Sequence, residues 1–439
     1  MKRFLPLVIL LLIVSLMLVA CGGDEEEPAV EPPTEEAGAP AQEEATAEPT
    51  EEMAAEPTEE MAEELTCDDA IGCVEIAPGD PILLASALVI SGPDGALGQD
   101  SQRGIEIAME YRGDVLGHPV ELQPEDDGCG PEGGQASAQK IVSNPQIVAV
   151  IGTSCSGAAV PAAQIISDNG YVMVSPSNTA VALTNPDLSW RPGYLRTAHN
   201  DSVQGGAMAD FVYNELGLTK AAAIHDGDPY TEGLATVFAN DFQAMGGEIV
   251  AFEAEDRNAT NVEPLLTTIA AAGPEFLYFP TFTNLSALIT KTARDIEGLE
   301  DVVVLASADG ALSADFLEAA GDAAEGMYHS GPDLTFENEL YDTFLATYAE
   351  EYGEEPPAVF HAHAFDATNM ILNAIEQVAQ QGDDGTLLIG RQALRDALYA
   401  TAGYEGITGT LTCDEYGDCA DAKINVNQVQ NGEFVRIWP

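Results

Sequence analysis

Positive charge is what this sequence has least of: 15 Lys and Arg stand against 74 Asp and Glu in 439 residues, a formal net charge of −59. So acidic a body repels polyanions, which excludes nucleic acid and anionic lipid headgroups as partners. The charge reads as a solubility feature rather than a ligand clue. No Cys-x-x-Cys knuckle occurs among the seven cysteines, which argues against zinc. His361 and His363, two apart on an expected helix, point to different sides and hold no metal between them. Glycines at 92, 95 and 98 do not make Gly-x-Gly-x-x-Gly, and no acid ends the next strand, so a dinucleotide cofactor is excluded too. The run Gly152-Thr153-Ser154-Cys155-Ser156 has serine where a Gly-x-Ser-x-Gly elbow needs its last glycine, and the later histidines form no Ser, Asp, His order. The protein therefore reads as a binder, without cofactor or metal, and not as an enzyme.

What is present begins with MKRFLPLVILLLIVSLMLVAC, basic at Lys2 and Arg3, apolar for too short a run and too near the terminus for an ordinary span. This is an export signal over residues 1–20. Leu18-Val19-Ala20-Cys21 resembles the bacterial lipobox, in which cleavage precedes a cysteine whose thiol takes lipid. Residues 21–66 are then the lipidated cysteine and an acidic tether, free of Lys and Arg, with AEPTEEMA twice in succession. Few apolar residues, several prolines and unbroken negative charge keep it from burying a core. As a random coil its 45 residues from Gly22 span on the order of 40 Å. The rest of the chain lies outside the cytoplasm, attached to the cell membrane through lipid alone. With Cys21 taken, six cysteines remain in an oxidising compartment, and an even count suggests disulfides. Cys67 pairs locally with Cys73 and Cys413 with Cys419, leaving Cys129 for Cys155.

Residues 67–439 are too many for an average single domain and suit two lobes. From residue 81 to 305, short apolar runs alternate with helical stretches, the mark of βαβ units and a parallel sheet. Strands are expected at 82–89, 120–123, 147–151, 171–174, 221–225, 248–252, 276–279 and 302–306. Helices are expected at 98–111, 133–142, 158–168, 205–216, 232–245, 262–271, 284–296 and 312–320, then at 337–352, 362–380 and 391–401. Two closing strands fall at 409–412 and 423–437. In an open parallel sheet, ligands lie beyond the carboxyl ends of the strands, where loops enter helix N-termini. Ser156 and Thr179 lie just past two successive strands, where free N–H groups suit a carboxylate. Asp309 follows a strand in the second half and suits an ammonium, with Tyr230 in another loop to donate or accept beside it. Opposite charges recognised from two halves of the chain describe a cleft for a zwitterion.

Six stretches carry a resemblance in a fixed order: ISGPDGALGQDSQRGIEIA, EDDGCGPEGGQASAQKIV, VIGTSCSGAAVPAA, VMVSPSNTAVALT, HDGDPYTEGLA and GDAAEGM. From about Asp80 to Pro439 the chain resembles the branched-chain amino acid binding proteins of ABC importers, the Leu/Ile/Val-binding type of periplasmic binding protein. The resemblance implies an α/β fold of two doubly wound parallel-sheet lobes joined by three crossovers and closing on ligand by a hinge. Lobe one would take 67–198 and 329–412, lobe two 199–328 and 413–439, with crossovers near 197–201, 327–332 and 412–419. Ser156 and Thr179 would hold the ligand carboxylate by their hydroxyls and Ser177 by its backbone N–H, while Tyr230 and Asp309 hold the amino group. The family's disulfide maps onto Cys129 and Cys155, in agreement with the parity count. A monomer delivering a small amino acid to permease subunits is implied. The alternatives are a sensor lipoprotein of the same fold and a binder of an amide or urea-like solute.

The chain departs from the pattern at the side-chain pocket. Leu97 stands where relatives tend to put an aromatic, Phe282 where tyrosine is usual, and Asp309 is one methylene shorter than the common glutamate. The amino-acid frame is kept while the side-chain pocket differs. The lipoprotein reading predicts that Cys21→Ser blocks lipidation and leaves the precursor uncleaved. N-terminal sequencing and membrane partitioning check this, and a normal mature terminus with unchanged membrane attachment would refute it.

Overall fold

The computed structural model describes residues 65–300 and 303–439. The expected leader, Cys21 and the tether through residue 64 lie outside the described residues, as does residue 302 of the strand expected at 302–306. A short β1 (Cys73–Ile76) precedes the first lobe's strands: β2 (Ile82–Leu88), β3 (Val120–Asp126), β4 (Ile147–Gly152), β5 (Met173–Ser175) and β6 (Tyr194–Arg196). β2 to β6 form an all-parallel sheet in the order β3-β2-β4-β5-β6, between α1 (Gly95–Arg112), α2 (Pro131–Val142) and α3 (Ser156–Asp168). A parallel sheet covered on both faces needs strands that are apolar on both, and β4, IVAVIG, is buried at all six positions. Side chains alternate between two cores. Leu84 and Leu88 pack with Ile105 of α1, while Ala85 and Ala87 pack with Ala138 of α2 and Ala159 of α3.

The second sheet starts with β7 (Lys220–His225), β8 (Glu248–Ala254), β9 (Phe276–Tyr278), β10 (Val304–Ser307) and β11 (Tyr328–Pro332). Around it lie α4 (Asp201–Asp210), α5 (Pro229–Ala244), α6 (Glu263–Ala272), α7 (Thr283–Ala293) and α8 (Ala314–Ala320). α4 starts where the Asn200 side chain accepts the Ser202 N–H at 2.9 Å, a cap that satisfies one of the helix's free donors. The chain then returns to the first lobe for α9 (Glu339–Tyr352), α10 (His361–Val378), β12 (Gln380–Gln381), β13 (Leu387–Gly390), α11 (Arg391–Tyr399), β14 (Tyr404–Gly406) and β15 (Gly409–Leu411). There β1 pairs antiparallel with β13, and α10 lies in the core shared with α1 and α11. β16 (Ile424–Gln430) and β17 (Glu433–Trp438) complete the second sheet in the order β17-β16-β11-β10-β9-β7-β8, antiparallel only along its β11, β16, β17 edge.

Three expectations are corrected. Residues 327–332, expected as a crossover with a lobe boundary at 328, carry β11, which lies between β10 and β16 through Pro332. The chain crosses after that strand. Residues 413–419, assigned to lobe two, belong with lobe one, because Arg196 N–H donates to Gly417 O at 2.9 Å and Cys419 N–H to Arg196 O at 3.2 Å. The strand expected at 423–437 is a hairpin that turns at Asn431 and Gly432, with φ of 55° and 78°. The disulfides Cys67–Cys73, Cys129–Cys155 and Cys413–Cys419 are all present. With the corrected boundaries, lobe one (67–200 and 333–419) holds 33 acidic and 7 basic residues, and lobe two (201–332 and 420–439) holds 24 and 6, so both are anionic.

His329 of β11 is wedged between Phe316 and Phe434, with ring centroids 4.9 and 5.0 Å away, and neither ring nitrogen has a hydrogen-bond partner among the described residues. Burial pushes its pKa down to about 3. A folded-state pKa below the unfolded value means that stability is present above pH 6.5 and is lost as pH falls toward 3. The ring neighbours suit phenylalanine, so His329→Phe should flatten the pH dependence, keeping about 2 kcal/mol that the wild type loses between pH 7 and 5. Denaturant melts of both proteins at the two pH values measure the difference.

Candidate functional site

The strand ends of the two sheets face each other across a cavity. Lobe one lines it with Leu97, Ser156, Ser177 and Thr179, and lobe two with Tyr230, Phe282 and Asp309, so all seven pocket residues read from the sequence meet in one place. Phe360, just before α10, joins them, and sequence reasoning did not single it out. Phe282 packs on Tyr230 with ring centroids 5.4 Å apart.

On the lobe-one side the turn from β4 into α3 is pinned from below. Buried Asp127 accepts the Cys129 N–H on Oδ1 at 2.7 Å and the Ser154 N–H on Oδ2 at 2.6 Å. Burial pushes that carboxyl up to about 7 despite these donors. Ser154 Oγ accepts from Val89 N–H at 3.0 Å, and the Cys129–Cys155 disulfide closes the turn. Ser156 then opens α3, its Oγ accepting from Ala180 N–H at 3.3 Å. In the loop after β5, Ser175 Oγ takes the N–H groups of Ser177 and Asn178 at 3.2 and 2.9 Å. Of the four N–H groups at 177–180, only that of Thr179 has no acceptor among the described residues, although Thr179 is buried. The free donor that the sequence placed at Ser177 therefore lies at Thr179, because Ser177 has spent its N–H on Ser175 and its hydroxyl on Ser154 O at 3.0 Å.

On the lobe-two side Asp309 is buried in the turn after β10. Its Oδ1 accepts from Tyr230 Oη and from Gln204 Nε2, both at 2.8 Å, whereas Oδ2 has no protein donor among the described residues. Gln204 is itself held, its Oε1 2.6 Å from His199 Nε2 and its Nε2 donating to Ser330 O at 3.1 Å. Asp201, the first residue of α4, is fully buried with no hydrogen-bond partner for either carboxylate oxygen among the described residues. Burial, followed by the charge of Asp309, pushes its carboxyl well above the usual range. Such a carboxylate is costly to bury alone, and a cation beside both acids relieves it. In the sequence Asp201 carries no signal of its own, because it falls in the expected crossover at 197–201, ahead of the helix expected from 205. Gln204 belongs to no motif.

The lobes touch across the cleft lip. Arg257, in the loop after β8, stacks 3.8 Å over the Phe282 ring and donates to Asp94 Oδ2 at 2.9 Å and to Cys129 O at 2.7 Å, both in lobe one. Asp94 Oδ1 also takes the Thr283 N–H of α7 at 3.3 Å. Asp228 caps α5 through Tyr230 N–H at 2.9 Å and lies over Gly157 of α3 so closely that a Cβ there would collide with its carboxylate. Burial pushes Asp228 up to about 6. The two histidines that raised the question of a metal have different surroundings. His361 meets Asp100 at 3.0 Å and Tyr341 Oη at 2.9 Å, and His363 packs against Phe360. Among the described residues no cluster of three or more His, Cys, Asp or Glu is placed to hold a metal.

The profile of the family described as "Periplasmic binding protein" matches residues 81–433, and the chain belongs to that family. A Leu/Ile/Val-binding protein homolog of Brucella melitensis is 28% identical over 373 residues, which is 84% of this chain and 96% of that one. The leucine-, isoleucine-, valine-, threonine-, and alanine-binding protein of Pseudomonas aeruginosa is 28% identical over 345 residues, 77% of this chain and 87% of that one. A leucine binding protein from Thermotoga maritima superposes with a TM-score of 0.73 at 27% identity, covering 81% of this chain and 97% of that one. The fold recurs, at 23% identity and a TM-score of 0.71, in a branched-chain amino acid transporter substrate binding protein from Streptococcus pneumoniae solved with isoleucine, covering 82% of this chain and 100% of that one. The fold is that of the type I periplasmic binding proteins, and its place is outside the cytoplasm. No described helix is long and apolar enough to cross a membrane.

Gly157→Ala should wedge the lobes apart without disturbing either. Overpacking of about 1 to 3 kcal/mol falls on the closed state alone, so ligand affinity should drop about 5- to 150-fold at unchanged melting temperature. Titration calorimetry with thermal melts of the free protein checks both halves.

Proposed function

We propose that this protein is the solute-binding component of an ABC importer, taking a small α-amino acid of the branched-chain type between its lobes. The observation that carries this reading is the polarity of the cavity. One wall offers the hydroxyls of Ser156 and Thr179, the unpaired Thr179 N–H and the start of α3, all suited to a carboxylate. The other offers Asp309, suited to an ammonium. Leu97, Phe282 and Phe360 leave an apolar space for an aliphatic side chain. The printed names of the relatives, which include leucine, isoleucine and valine, support the same cargo. In this reading lipid on Cys21 keeps the monomer at the membrane, and closure presents both lobes to the permease subunits.

Calorimetry on site variants with the co-purifying ligand, identified by mass spectrometry, tests the assignment. Removing one partner of a buried ion pair costs about 3 to 5 kcal/mol, so Asp309→Ala should weaken binding by about two to four orders of magnitude. Asp309→Asn should lose most of that. Thr179→Ala removes a hydrogen bond to a charged group and should cost only about 1.5 to 3 kcal/mol. Asp309→Asn binding as well as wild type would mean a neutral cargo, such as an amide, at that position.

A further inference from the structure

The Cys413–Cys419 loop, CDEYGDC, lies outside the cavity, yet it reaches the wall that holds Thr179. Its backbone runs against β6, with Gly417 at a φ of 90° and so close to Tyr194 O that no side chain fits there. Asp414 Oδ1 takes the N–H groups of Tyr416 and Asp418 at 2.9 and 3.0 Å, which shapes the turn so that the Asp418 side chain meets Arg196. Arg196 is fully buried, an unusual place for a guanidinium. Its Nε donates to Asp418 Oδ1, its Nη2 to Thr184 Oγ1 at 2.8 Å, and its Nη1 to Asn178 O and Ala180 O at 3.2 and 2.9 Å. Asp418 Oδ2 is filled by Thr184 Oγ1 and Asn200 Nδ2, both at 2.9 Å. Burial alone would raise the Asp418 carboxyl, but the Arg196 charge holds it below the usual range.

The two carbonyls held by Arg196 flank Thr179. In a trans peptide the C=O and N–H point in opposite directions. Gripping Asn178 O from one side therefore aims the next N–H, that of Thr179, the other way, and it is the one N–H of the loop without an acceptor among the described residues. We infer that Asp418 and Arg196 are positioning residues for the carboxylate end of the site: the disulfide loop delivers Asp418, Asp418 orients Arg196, and Arg196 aims the Thr179 N–H. Arg196 is also the last residue of β6, and Asn200 lies on the first crossover, so the same carboxylate ties the donor loop to the hinge. The inference rests on the amino-acid reading above.

The test uses the full chain with L-leucine and L-leucinamide, which share ammonium and side chain and differ at the carboxylate. Wild type should prefer leucine. In Asp418→Asn that preference should shrink about ten-fold, the size of one charge-assisted hydrogen bond lost, through weaker leucine binding. Combining Asp418→Asn with Thr179→Ala should add little to either change, whereas combining it with Asp309→Asn should multiply the losses. Should Asp418→Asn not fold, the paired Cys413→Ser and Cys419→Ser variant, which keeps the carboxylate and frees the loop, should show the same shrinkage. Equal losses for leucine and leucinamide, or fully multiplicative effects with Thr179→Ala, overturn the positioning role and leave the amino-acid reading standing. A wild-type protein that binds neither compound, or both alike, overturns that reading and this inference together.

Discussion

Two carboxylates buried beside each other at the meeting of two lobes set the terms for everything around them. Among the described residues Asp309 has a tyrosine and a glutamine on one oxygen and no donor on the other, and neither carboxylate oxygen of Asp201 has a hydrogen-bond partner. Burial, and then the charge of Asp309, pushes the Asp201 carboxyl well above the usual range. On the reading proposed above, a positive group beside Asp309 makes the closed arrangement favourable, which would make closure and cargo one event rather than two. The remaining features follow from the need to bring such a group in with its own counter-charge. In the same reading the hydroxyls of Ser156 and Thr179 and the Thr179 N–H on the opposite wall provide for that second end.

Each disulfide comes with an acid that does the positioning. In the Cys67–Cys73 loop, Asp69 accepts the N–H groups of Gln392 and Ala393 at 3.0 and 2.9 Å and so holds the start of α11. Beside Cys129–Cys155, Asp127 holds the turn that leads to Ser156. In the Cys413–Cys419 loop, Asp418 holds Arg196. The covalent link narrows where a short loop can go, and the carboxylate fixes where it stays. In the two short loops neither serves alone, because the five residues between bridged cysteines still swing without an anchor, and an anchor on a free loop must first order it.

Much of this was readable from residues alone. Buried parallel strands show as apolar runs, and loops rich in small and hydroxyl residues betray the strand ends where ligands lie, so β2, β4, β7 and Ser156, Thr179, Tyr230 and Asp309 are legible in the residues, whereas Ser177, Leu97 and Phe282 come only from the family resemblance. β11 was not, because Met-Tyr-His-Ser-Gly-Pro has the composition of a turn and becomes a strand only between two others. β6, three residues long, shows too little period to count. Asp201 falls in the expected crossover at 197–201, ahead of the helix expected from 205, and only the structure shows it buried at the start of α4. The exchange of Ser177 for Thr179 as free donor depends on where Ser175 Oγ points, a matter of tertiary geometry.

The division of charge between the lobes has one more effect. With 33 acids against 7 bases on one side and 24 against 6 on the other, closing the cleft pushes two anions together. The attraction that opposes this at the lip is short in range and partly sheltered, chiefly Arg257 against Asp94 at 2.9 Å. Dissolved ions screen the diffuse repulsion, with a Debye length of about 10 Å at 0.1 M, and scarcely touch a close and partly buried pair. Salt would thus act as a silent co-ligand for the cargo proposed above, since a zwitterion has no net charge of its own to be screened.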